Sequence, residues 1–99
     1  MLRGEHFDLH YLRVPDKGDV GTARLGLVVA KKFARRSVLR NLFKRIGREA
    51  FRHALPVLTG CELVLRLKKP VPVVDRIARR VWRAEIDGLL ARLQIELSR

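Results

Sequence analysis

Apolar and polar residues alternate near the start of this chain. Phe7, Leu9 and Tyr11 interleave with Asp8, His10 and Leu12, a period of two that predicts a strand over 7–14 with one face in a core. Pro15, Asp16, Gly18 and Gly21 mark a loop after it. The run RLGLVVAKK at 24–32 is rich in β-branched and apolar residues and predicts a second strand, and so short a connection suggests that the two form an antiparallel pair. The period then changes. On a wheel of about 100° per residue, Leu39, Leu42, Phe43, Ile46, Ala50 and Ala54 gather on one arc, with Arg40, Asn41, Lys44, Arg45, Arg48 and Arg52 opposite. Ser37 is a fair N-cap for this helix, which runs to about residue 55 before Pro56 and Gly60. Gly47 lies inside it at a cost of about 1 kcal/mol relative to Ala. Either the helix tolerates that cost, or another backbone approaches closely there. Leu63, Leu65 and Leu67, set against Val64 and Arg66, predict a third strand over 62–68. Beyond Pro70 and Pro72, Ile77, Val81, Trp82, Ile86, Leu89, Leu90, Leu93 and Leu97 recur mostly at three and four, which predicts a last helix over 74–97. With a net charge of only +2 over 75–99, this helix looks like packing material.

Length limits the chain of 99 residues to a single domain, 1–99, with one modest core. Charge adds what periodicity leaves open. Lys and Arg outnumber Asp and Glu by 22 to 10, and residues 31–52 alone hold nine of the cations against one acid, Glu49. A solvated helix normally mixes signs to limit self-repulsion, so a single-signed face opposite an apolar arc points to a polyanionic partner. Nucleic acid fits better than an anionic membrane, because the flanking apolar strands give the helix a core to pack on. No stretch approaches the ~20 apolar residues of a membrane span, and the first residues lack the apolar run of a signal peptide, so the cytoplasm is the expected compartment. Cys61, the only cysteine, excludes an internal disulfide and reads as a small residue at the start of a buried strand.

Little in the chain suggests an active site of its own. Glu49, Asp75, Glu85, Asp87 and Glu96 lie on or beside helices among arginines, where surface pairing is the ordinary explanation. His6, His10 and His53 have no motif partner at a recognisable spacing, and no glycine-rich phosphate loop is present. Many cations, few acids and no catalytic constellation describe a binding subunit. Arginine can grip phosphate with two hydrogen bonds or stack on bases, and Asn41 adds an amide for sugar or base edges.

RLGLVVAKK followed by RRSVLRNLFKRIGREAFR closely resembles the family of bacterial ribonuclease P protein subunits. That family carries a strand ending in Lys-Lys, a short loop, and a helix with an Arg-Asn-Arg signature, which here falls on Val38, Arg40, Asn41, Lys44, Arg45, Arg48 and Phe51. The resemblance extends over about 6–69 and more loosely into the final helix. Leu42 stands at the third signature position in place of Arg, and its place on the apolar arc predicts that it packs. The family usually has a helix and an aromatic-containing segment before its first strand, so against the resemblance this is either a member short at its N-terminus or a sequence that omits that part.

The implied fold is α+β, a small α/β sandwich resembling the second domain of ribosomal protein S5, with a four-stranded sheet and a left-handed β-α-β crossover. Sequence rules alone favour the right-handed form of such a crossover. The implied function is the protein component of ribonuclease P. It would bind the ribonuclease P RNA and the 5′ leader of precursor tRNA, with Mg2+ held mainly by the RNA and catalysis carried by the RNA. Lys31, Lys32, Arg36, Arg40, Asn41, Lys44, Arg45 and Arg48 are the implied RNA-binding residues. Asp8, His10, Val28 and Lys32 are those implied for the leader, on a face of the sheet beside the basic helix, although a carboxylate at Asp8 would repel phosphate. A ribosomal or other structural RNA-binding protein is the alternative, and a metal-dependent nuclease in its own right is disfavoured by the scarcity of acids.

Overall fold

Alternation sorts the side chains of each strand to two faces, and both helices pack on the same one. The computed structural model describes residues 1–13, 24–54, 61–71 and 75–97. In chain order they form β1 (Leu2–Arg3), β2 (Phe7–Arg13), β3 (Arg24–Val28), α1 (Ser37–Ala54), β4 (Cys61–Leu67) and α2 (Arg76–Leu97). The sheet has the order β1-β2-β4-β3. Phe7, Leu9, Leu63, Leu65 and Leu67 line its covered face and join Phe43 and Ala50 of α1 and Trp82, Ile86, Leu89, Leu90 and Leu93 of α2 in one core. Cys61 is buried at the start of β4, as expected. No helix among the described residues is long and apolar enough to cross a membrane.

The pairing of the strands corrects the expected hairpin. β2 runs antiparallel to β4 from Phe7↔Leu67 to Arg13↔Cys61. β3 runs parallel to β4 from Arg24↔Glu62 to Val28↔Arg66, so β4 lies between the two strands that were expected to pair. β4 has the most complete apolar alternation, with Cys61, Leu63, Leu65 and Leu67 all at most 4% exposed, and the central position buries that face most fully. A parallel pair needs a crossover connection, which α1 provides between β3 and β4. The expected second strand stops at Val28, short of its lysines. The chain turns instead, with Phe33 and Ala34 N–H donating to the Ala30 carbonyl at 3.0 and 3.1 Å. Residues 14–23, with the predicted loop, lie outside the described residues, as do Pro56, Gly60 and Pro72.

Both helices are found where periodicity put them, but their caps differ. The Arg36 carbonyl accepts from Leu39 and Arg40 N–H at 3.0 and 3.1 Å, so the capping position of α1 is Arg36, and Ser37 is the first helical residue. α2 has a side-chain cap, with Asp75 Oδ1 accepting from Ala78 N–H at 2.7 Å. Leu42 is half-buried against the core, as its arc predicted. At Gly47 no second backbone approaches; the close neighbours are the side chains of two leucines of the sheet. A Cβ there would lie 2.7 Å from Leu27 Cδ2 and 3.3 Å from Leu65 Cδ2, so the bare backbone lets α1 settle onto β3 and β4.

Glu85, expected to pair at the surface, instead reaches from α2 to the turn between β1 and β2. Its Oε2 accepts from His6 N–H at 2.9 Å and Phe7 N–H at 2.7 Å, and its Oε1 meets His6 Nδ1 at 2.8 Å. The Gly4 N–H closes the same turn onto the Phe7 carbonyl at 2.8 Å. A Cβ on Gly4 would come within 2.8 Å of Glu85 Oε2, so a glycine makes room for the carboxylate. Arg92 Nη1 adds a second tie from α2 by donating to the Arg3 carbonyl at 3.0 Å. Removing the carboxylate strands two backbone donors that are partly buried. Glu85→Ala is therefore expected to lower the unfolding free energy by about 1–3 kcal/mol in urea denaturation. A loss within experimental error would show that water replaces the carboxylate at no cost.

Candidate nucleic-acid interface

The amphipathic arc of α1 fixes which of its polar residues can meet a partner. Because Phe43, Gly47 and Ala50 face the core, Asn41, Arg45, Arg48 and Arg52 project outward, with Lys44 half-buried at the margin. Asn41, Lys44, Arg45 and Arg48 line one open groove, together with Arg52, His53 and Glu49. Glu49, the one acid of the segment, lies 3.6 Å from Arg83 Nη1 on α2, and Arg83 also pairs with Asp87 at 3.1 Å. These pairs are exposed and contribute little to stability. Their effect here is to draw the carboxylate toward α2, leaving the rest of the arc single-signed. Such a surface attracts phosphate at long range and holds it by charge-assisted hydrogen bonds.

Arg40 departs from the others. The wheel sets it on the basic arc, yet it is half-buried, and its Nη1 donates to the Ala34 carbonyl at 3.0 Å and the Arg35 carbonyl at 2.9 Å. It thereby fastens the loop before α1 to the helix. The loop is held from the other side as well, because the Val71 N–H donates to the Phe33 carbonyl at 3.1 Å. Lys31, Lys32, Arg35 and Arg36 are exposed on this fastened loop, and Lys32 Nζ rests 4.9 Å above the Phe33 ring.

The second group of candidates lies elsewhere. Asp8, His10 and Val28 are on the sheet face that the helices leave open, so this surface is behind α1, across the sheet, and not beside it. The register orders it into rows. Arg3, Asp8, Arg66 and Val28 form one row, His10, Val64 and Gly26 the next, and Leu12, Glu62 and Arg24 the third. Leu12, Val64 and Val28 are 62%, 38% and 45% exposed, an apolar floor among cations that suits unstacked bases and their phosphates. The expected repulsion at Asp8 is offset, because Lys68 Nζ lies 2.9 Å from Asp8 Oδ1 and neutralises it. Lys32 stands in the turn beyond the end of β3, between the two surfaces. Arg24, Arg66 and Lys68 join this face without having been singled out in the sequence. Parity along β4 put Arg66 on the open face, but only the pairing register sets it beside Asp8.

One further cluster brings metal-ligating groups together. Glu5, His6 and Glu85 each offer an atom within 4.8 Å of the others. Both Glu85 oxygens are already engaged by the β1–β2 turn, so among the described residues this cluster serves the fold.

Comparison with known proteins follows the same direction. A family model described as Ribonuclease P matches residues 1–94. The ribonuclease P protein component of Aromatoleum aromaticum is 49% identical over 75 residues, covering 76% of this chain and 60% of that protein. The ribonuclease P protein component of Bordetella petrii is 43% identical over 81 residues, covering 81% and 66%. The chain thus spans about three fifths to two thirds of the length of these relatives. Among solved structures, the RNase P protein from Thermotoga maritima aligns with a TM-score of 0.71 at 29% identity, over 92% of this chain and 80% of that one. The Staphylococcus aureus RNase P protein aligns with a TM-score of 0.65 over 99% of this chain and 79% of that one, and its 20% identity supports the fold alone.

The two kinds of arginine on α1 are separable by stability. Arg40→Ala is expected to lower the unfolding free energy by about 1–2 kcal/mol, and Arg45→Ala by no more than about 0.5 kcal/mol, in parallel urea titrations. Equal, small effects would show that the Arg40 bonds to the loop carbonyls contribute nothing to the fold.

Proposed function

The chain belongs to the ribonuclease P protein family, and on that basis we propose that it is the protein component of a bacterial ribonuclease P, which promotes endonucleolytic 5′ maturation of tRNA. The observation that carries this reading is the outward arc of α1, where Asn41, Arg45, Arg48 and Arg52 stand together and the one acid among the described residues lining that groove, Glu49, is drawn toward α2. In this reading the arc and the loop bearing Lys31, Lys32 and Arg36 bind the ribonuclease P RNA. Arg40 holds that loop in place, and Lys44 borders the arc. Asp8, His10, Val28 and Lys32 border the surface that takes the 5′ leader of precursor tRNA.

Catalysis belongs to the RNA in this reading, and the protein alone has no nuclease activity. Mg2+ bound by the RNA would supply the activated water. Among the described residues the acids of these two surfaces, Asp8, Glu62 and Glu49, do not converge with other ligating groups on a point where that ion could sit. Asp8 is paired with Lys68 and Glu49 with Arg83, and arginines and lysines occupy the surrounding positions. The protein's contribution is electrostatic and positional: it neutralises phosphate repulsion as the RNA docks, and it holds a single-stranded segment in a fixed place. The cytoplasm, where tRNA precursors are processed, is the proposed compartment.

Reconstitution tests this directly. Adding the protein to the ribonuclease P RNA of the same organism at low Mg2+ is expected to raise the rate of precursor tRNA cleavage at the 5′ site. No improvement would reject the reading, and copurification with ribosomal RNA instead would favour a structural RNA-binding role. The R45A/R48A variant is expected to bind the RNA more weakly and to reduce the slope of log affinity against log salt by about two at most. An unchanged slope would mean that these two side chains touch no phosphate.

A further inference from the structure

α2 carries a charge pattern that its packing does not require. Over 75–84 it has Arg76, Arg79, Arg80 and Arg83 against one acid, whereas over 85–97 it has Glu85, Asp87 and Glu96 against Arg92. Asp75 is engaged as the helix cap, and Arg83 is paired with Asp87 and Glu49. Arg76, Arg79 and Arg80 are exposed and enter no ion pair among the described residues. They occupy the first turns of the helix, where the positive end of the macrodipole disfavours cations, and the one carboxylate at that end, the Asp75 cap, is already engaged by the Ala78 N–H. Helix stability therefore does not explain them.

Their position relative to α1 does. The two helices run in the same direction: Phe43 meets Trp82 with ring centroids 4.5 Å apart, Glu49 meets Arg83 at 3.6 Å, and the groove between them continues past Ala54 and Gln94. Counted back three residues and two residues from the ring contact, Arg79 and Arg80 lie level with Arg40 and Asn41, at the start of the basic arc. The exposed apolar pair Ile77 and Val81 lies roughly a quarter turn or more around α2, on the flank away from α1. The arginine edge of α2 thus adjoins the basic arc of α1. Like charges aligned in this way repel in the free protein, and a phosphate strand laid along the seam relieves the repulsion.

We propose that Arg76, Arg79 and Arg80 form a second phosphate-contacting stripe that, with Arg45 and Arg48 of α1, grips the backbone of the ribonuclease P RNA across both helices. The stripe rests on the ribonuclease P reading above, and it extends RNA contact from one helix to two. It reads backbone phosphate and not sequence, because all three side chains are exposed cations with no groove of their own to hold a base.

The test compares R76Q/R79Q/R80Q, R76K/R79K/R80K and R45A/R48A for equilibrium binding to the ribonuclease P RNA across a salt series, with thermal unfolding of each variant. The glutamine triple is expected to lose at least about tenfold in affinity at low salt and to reduce the salt slope by about two to three. The lysine triple is expected to keep most of both, and neither is expected to unfold at a lower temperature than the parent. Should the glutamine triple fail to fold, R79Q and R80Q singly are each expected to reduce the slope by about one. Unchanged affinity and slope in the glutamine variants, with R45A/R48A impaired, overturns the stripe and leaves the α1 reading standing. A parent protein that does not bind the ribonuclease P RNA overturns both. Loss of binding to phosphatidylglycerol vesicles with RNA binding intact assigns the stripe to a membrane surface and overturns the proposal.

Discussion

Phe43 is the point at which the sheet and both helices are joined. It is almost wholly buried, its ring meets Phe7 of β2 edge-on at 5.8 Å, and it lies tilted against Trp82 of α2 at 4.5 Å. Such aromatic contacts add about 0.5–1.5 kcal/mol each beyond the area they bury. Their larger consequence is rotational. With Phe43 fixed inward, Arg45 lies about 200° around the helix and Arg48 about 140°, and neither can turn in without taking Phe43 out of the core. Core packing thereby aims the cations, without any direct contact between the two sets of residues.

The same packing leaves the protein two unlike outer surfaces. Because the helices cover one side of the sheet, the other side keeps its alternate residues in solvent, including Leu12, Val28 and Val64. One surface is a shallow, almost purely cationic groove on α1, which suits folded RNA met through its phosphates. The other is a flat sheet face with an apolar floor, cations at Arg24 and Arg66, and a neutralised pair at Asp8 and Lys68, which suits a single strand whose bases are free to lie down. The Lys31–Arg36 loop lies between them and is fastened on both sides, by Arg40 to α1 and by Val71 after β4. Ordering this loop before the partner arrives reduces the entropy lost on binding.

Much of this was legible in the sequence, because period is a local property. The apolar arc of α1, the alternation in β2 and β4, the span of α2 and the inward position of Leu42 all follow from spacing along a few turns. The basic arc was legible for the same reason. Three features were not. The two-residue strand β1 has no period to detect. Glu85 looked like one more surface acid, because the turn it caps lies 78 and 79 residues away. Arg40 looked like one more phosphate ligand, because its bonds depend on where the preceding loop passes.

The sequence by itself determined which residues share a face, since that depends only on the geometry of a single helix or strand, and its motif determined the family. Only the tertiary structure decided which strands pair and which helices lie side by side. β4 entered between β2 and β3 because a strand with one fully apolar face is best buried in the centre of a sheet, and this preference outweighs the short connection between its two neighbours. That insertion set Arg66 beside Asp8 and Lys68 within reach of its carboxylate. The shared core then laid α2 parallel to α1 and brought two separately encoded runs of arginine to one seam. Adjacency between distant segments is fixed by the burial of their opposite faces, and no local pattern records it.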